Sequence, residues 1–169
     1  MSLLGYYEVQ SVDASTLAND LASLGYPGFA HLKSKNKRTP EEVLLSALSS
    51  HSLASRAAEA LPWLLLRYSD LDWPTLINTA NAKRLQNKLG FVTCLARKVA
   101  ERCGETDKAV LLRKQERVLE RSRLLVEDTL CNDSLTLAER SWLETNRTDD
   151  AKHWRVLTDL SSDHLTDAF

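Results

Sequence analysis

Isoleucine occurs once in this chain of 169 residues, at position 77, and valine only nine times. Strands draw heavily on β-branched residues, and parallel sheets need buried runs of them, so a sheet-rich fold has little to build with. Five glycines and four prolines leave few turns for hairpins. No apolar run approaches the ~20 residues that cross a bilayer. The longest, Leu61 to Leu66, contains Pro62. The three cysteines, Cys94, Cys103 and Cys131, are odd in number and have no C-x-x-C spacing. Neither a disulfide framework nor a thiolate metal centre is expected, and a reducing cytoplasm fits. The opening MSLLGYYEVQ has no basic segment before an apolar stretch, so no secretory signal is expected. Lys plus Arg number 22 against 23 Asp plus Glu. A net charge of -1 gives no overall drive toward nucleic acid and leaves only local patches to consider.

What is abundant is leucine, 31 residues, and alanine, 17. Both are strong helix formers, and the expectation is an all-α fold. Asp13 precedes Leu17, Leu21 and Leu24 at helical spacing, and Gly25 suits the left-handed position after a helix, which predicts a helix over 14–24. The sequence T-P-E-E places a capping residue at Thr39, proline in the first turn and Glu42 at the capping-box position, predicting a helix over 40–49. A further helix follows Ser52, with Pro62 restarting or kinking it, and Asp72 with Pro74 starts another. Residues 82–103 are apolar on two sides and form the central helix, with Gly90 marking a close crossing by a second helix. Gly104 ends it, Thr106 caps a partner helix over 107–131, and the short link folds the two into an antiparallel hairpin. Helices near 136–146 and 149–160 complete the chain. The expected architecture is thus a single compact multi-helix bundle over 1–169. Residues 26–38 form a basic irregular loop and residues 161–169 a frayed tail.

Nothing in the sequence carries a catalytic pattern: there is no G-x-S-x-G, no glycine-rich phosphate loop and no H-E-x-x-H. No cofactor is implied. Cys94 falls on an apolar stretch and reads as a buried structural thiol. Asp149, Asp150 and His153 share a helix face with metal-compatible atoms, but acids in a first turn already suit the helix dipole. An enzyme would need a pocket gathering Asp70, His51 or the Asp149–His153 group.

Residues 83–123 hold twelve cations against five acids, and Lys114, Arg117 and Arg121 flank one side of the apolar stripe. Together with Lys33, Lys35, Lys37 and Arg38 they are the candidate phosphate contacts of a nucleic-acid-binding protein. A solvated helix face and a surface loop are the plainer alternatives, and internal ion pairs would favour them. The tryptophans suggest another reading. Trp63 and Trp73 bracket L-L-L-R-Y-S-D-L-D, and Trp63, Leu66, Tyr68 and Trp73 are the candidate contacts with a protein partner, core packing being the alternative for each. Homodimerisation through 61–68 or through the hairpin is compatible with either role.

The run E-A-L-P-W-L-L-L-R-Y-S-D-L-D-W, continued by A-K-R-L-Q-N-K-L-G-F, resembles a segment of small helical bacterial proteins of toxin–antitoxin type, associated with nucleotidyltransferase-type toxins. The resemblance covers about residues 40–100 and implies a non-catalytic, antitoxin-like cytoplasmic protein that docks on another protein and masks it. No site residue transfers with it.

Overall fold

In the computed structural model of the chain, which describes residues 5–35 and 37–165, eight helices account for nearly all regular structure. They are α1 (Ala14–Ser23), α2 (Pro40–Leu48), α3 (Ser55–Arg67), α4 (Trp73–Ala82), α5 (Gln86–Arg102), α6 (Thr106–Glu120), α7 (Leu137–Thr145) and α8 (Asp149–His153). The protein is a compact all-α assembly, 59% helical. The one sheet among the described residues is a parallel pair of two-residue strands, β1 (Asp128–Thr129) and β2 (Val156–Leu157).

Local chemistry sets most helix starts. Asp13 accepts from the Thr16 N–H, and Asp72 from that of Thr75. Thr39 and Glu42 close a full capping box, as do Thr136 and Glu139. At α6 the expectation fails: the preceding residue is Glu105, no side chain caps the helix, and Thr106 is its first residue. Pro62 neither ends nor restarts α3, which runs through it. An interior proline costs about 3 kcal/mol. Leu61, Leu64, Leu65 and Leu66 are all buried around it, each contributing roughly 1.5–3 kcal/mol. Burial outweighs the lost hydrogen bond.

The central hairpin exists, and α5 packs along α6, but both helices are shorter than the hydrophobic pattern suggests. The expected helix 82–103 starts only at Gln86. The chain first closes α4, with the Leu85 N–H donating to Ala80 O at 2.8 Å and the Arg84 N–H to Asn81 O at 3.3 Å. This is the closure that Gly25 and Gly104 make after α1 and α5. Here Arg84 takes the left-handed seat, φ 58°, at a cost of about 1–2 kcal/mol for a side-chain-bearing residue.

The expected helix 107–131 stops at Glu120. Side chains of α5 capture the backbone that follows: Asn87 accepts from the Leu124 N–H at 2.8 Å and donates to Leu124 O at 2.9 Å, while Gln86 donates to Ser122 O at 3.1 Å. With its polar groups satisfied laterally, residues 121–127 leave the helix and lead into β1, and Leu125 and Val126, expected on the apolar stripe, are exposed. The helix expected over 149–160 ends at His153 in the same fashion. Arg155 takes the left-handed seat, φ 55°, and the chain enters β2.

One contiguous core joins α1 to α6 with Trp154, Val156 and Leu165. Residues 161–165 are not frayed: Leu165 is buried, and Arg102 of α5 donates to Ser162 O at 3.1 Å and Leu165 O at 2.6 Å. The rest of the expected tail lies outside the described residues. Gly90 answers to a tryptophan rather than to a crossing helix. A Cβ there would sit 2.3 Å from the Trp154 indole.

Candidate functional site

Three of the four side chains expected to meet a partner are interior. Trp63, Leu66 and Trp73 are each 5% exposed. Trp63 meets Tyr26 edge-on, ring centroids 5.2 Å apart. Tyr68 is half-buried and donates its hydroxyl to Leu24 O at 2.8 Å. The same burial withdraws Leu61 to Leu66, the apolar part of the 61–68 segment, from the surface. The leucines pack inward because α2, α3 and α5 enclose them, leaving no apolar excess on this face.

The basic residues divide in the same way. Of the cations in 83–123, Lys88, Arg97, Lys98, Lys108, Arg113 and Arg123 form ion pairs, and Arg102 binds backbone carbonyls. Arg38 is no free phosphate contact either. It bridges Asp20, at 2.6 Å, and the Ser46 hydroxyl, both buried. Lys33, Lys35 and Lys37 are exposed, as are Lys114 and Arg117 on α6 and Arg121 just after its end, and none of the six has an ion pair among the described residues.

A polar cleft of about 320 Å³ lies between α5, α6 and α8, with Cys94, Arg97, Glu116, Glu120, Asp150 and His153 in its lining. It gathers the His153 region that an enzyme reading would need, but its groups neutralise one another. Arg97 bonds Glu116 and, at 3.0 Å, Glu101; Arg113 reaches Glu101 at 2.7 Å; His153 Nε2 lies 2.6 Å from Glu120; Lys98 bonds Asp150. Burial works against the Arg97 charge, yet Glu116 and Glu101 hold its pKa above the usual range. The Cys94 thiol is pushed up, first by burial and then by the Glu116 and Asp150 carboxylates, which leaves a protonated, poorly nucleophilic sulfur. His51 and Asp70, the other candidates for acid–base chemistry, are exposed and lie outside this cleft. Among the described residues no three His, Cys, Asp or Glu side chains are grouped to hold a metal ion.

An apolar groove lies elsewhere. A groove of about 470 Å³ runs between the start of α3, α7 and the segment after β2. Leu53, Ala58, Leu143, Leu157 and Leu160 contribute apolar wall, and Glu59, Glu139 and Asp159 bring acidic groups to the lining. Trp142 lines it while remaining 57% exposed, whereas Trp63, Trp73 and Trp154 are all buried. On α7 only Leu143 is buried. Its neighbour Trp142 is rotated ~100° away from the core. Neither that choice of buried face nor the groove beside it, made from three distant stretches, was readable from the sequence.

Comparisons with family models, with curated proteins and with solved structures returned no match. No helix among the described residues is long and apolar enough to cross a membrane.

Proposed function

We propose that this chain is a non-catalytic binding protein that seats a segment of a protein partner in the groove beside Trp142. The observation carrying this reading is one tryptophan held out of the core at the wall of an apolar groove. Large aromatic side chains in such positions dominate binding energy at protein interfaces. Glu59, Glu139 and Asp159 select for a segment that combines a bulky apolar residue with Lys or Arg. Masking a toxin, the role implied by the resemblance over 40–100, is one form of this function, although the groove draws its aromatic anchor from outside that stretch.

A displayed random-peptide library panned on the full-length protein tests the reading. Enriched peptides should pair an apolar anchor with basic residues, and Trp142→Ala should weaken them by about 2 kcal/mol or more, roughly thirtyfold, without lowering the thermal midpoint. Absence of enrichment, or equal binding to Trp142→Ala, would refute it.

A second reading has its own support in three exposed cations at the end of the hairpin, Lys114 and Arg117 on α6 and Arg121 just after it, which have no ion pair among the described residues. Binding of duplex nucleic acid there should fall with salt at a log–log slope of about -0.9 per phosphate neutralised. The Lys114→Gln, Arg117→Gln, Arg121→Gln triple variant should flatten that slope. A gel shift with no retardation at low salt would exclude this mode.

A further inference from the structure

A third cavity, about 710 Å³, shares no residue with the Trp142 groove. It lies among the loop after α2, the junction of α4 with α5, residues 124–128, and Arg155 with Val156. Its carboxylates are all engaged. Asp128 pairs with Lys88 at 3.3 Å, Glu127 with the buried Arg147, and Asp133 with His51 at 2.6 Å. Its remaining cations are not: Lys83, Arg84 and Arg155 have no ion pair among the described residues, and Arg155 Nε is buried with no acceptor. The cavity therefore carries surplus positive charge.

Two further features point the same way. Asn87 and Lys88 in its lining belong to the first turn of α5, and Leu85, just before it, supplies no side-chain cap. The positive end of a seventeen-residue helix thus adds to the cations. The two arginines also occupy unusual seats. Gly25 and Gly104 hold the left-handed residue after α1 and α5, but after α4 and α8 that seat belongs to Arg84 and Arg155. Glycine is the unstrained choice at such a position. Three side-chain-bearing residues have positive φ, Arg84, Cys131 and Arg155; the two that follow helices are arginines, and both line this one cavity.

We propose that the cavity binds an organic phosphate, with Lys83, Arg84 and Arg155 meeting the phosphoryl oxygens. Val9, Leu85, Leu124 and Val156 supply apolar wall for the body that carries it. The volume is that of a small-molecule site rather than of a bare anion. Arginine suits the role because its planar fork binds phosphate oxygens in pairs.

Isothermal titration of the full-length protein with AMP, inorganic pyrophosphate and adenosine tests the assignment. AMP should bind more tightly than pyrophosphate, and adenosine much more weakly than AMP. Arg84→Gly should cut AMP affinity by at least about tenfold while leaving the thermal midpoint of the free protein unchanged or raised, since glycine relieves the seat. Arg155→Gly should do the same. Equal affinity for AMP and pyrophosphate would overturn the organic body. Adenosine binding as tightly as AMP, no heat with any ligand, or unchanged AMP binding in both variants would overturn the anion site.

Discussion

Arg38 shows how much one residue's role depends on its surroundings. In sequence it is the last of four cations in an irregular loop, equivalent to Lys33, Lys35 and Lys37. In the fold it faces the fully buried Asp20 side chain and the hydroxyl of Ser46, and so ties the loop to α1 and α2. Arg38→Met should lower stability by about 3 kcal/mol, the low end of the range for breaking a buried pair, because Arg38 keeps some exposure. The same change at Lys33 or Lys35 should stay within about 0.5 kcal/mol. Chemical denaturation of the three variants measures the difference. Trp142 makes the converse point. Its identity announces a large apolar group, as do the other three tryptophans, and only the packing of its neighbours leaves it outside.

Among the elements, α5 is the best test of what helix pattern conveys. The central place of residues 82–103, and apolarity on two sides around Gly90, were legible because leucine, valine and alanine recur at helical spacing. The partner at Gly90 was not legible, since Trp154 reaches it from 64 positions further along the chain. Alanine there gains about 1 kcal/mol in helix propensity. Its Cβ would meet a rigid, buried indole, and overpacking of that kind costs about 1–3 kcal/mol. Gly90→Ala should therefore destabilise the protein, and adding Trp154→Leu should recover part of the loss. A double-mutant cycle of unfolding free energies reads that coupling. The end of α6 was hidden for a similar reason. Leu125, Val126 and Leu130 continue a helical stripe, but Asn87 and Gln86 satisfy the backbone across the hairpin and draw the chain away.

Across the whole molecule, charge serves cohesion more than it forms a field. Of the twelve cations of 83–123, seven in excess of the acids by sequence, six face carboxylates and Arg102 binds backbone carbonyls. The Glu101 carboxyl is held below its ordinary pKa, chiefly by the hydrogen bond from Arg113 and then by Arg97. A depressed folded pKa means the contribution is present above the unfolded value and is lost as the pH falls through the folded one. Arg113→Met should thus lower the thermal midpoint at neutral pH and leave it unchanged once Glu101 is protonated. Melting curves down through the carboxylate range check this. Equal losses at both ends would mean that Arg113 acts through packing alone.

The helical class, most helix starts and the reach of the core followed from local chemistry: leucine spacing, capping side chains and left-handed glycines act within a few residues, so the linear order contains them. Which helices ended early, which tryptophan faced outward and which cations kept a free charge depended on partners tens of positions away. Those contacts exist only once the chain has closed, and with them came the Trp142 groove and the cationic cavity.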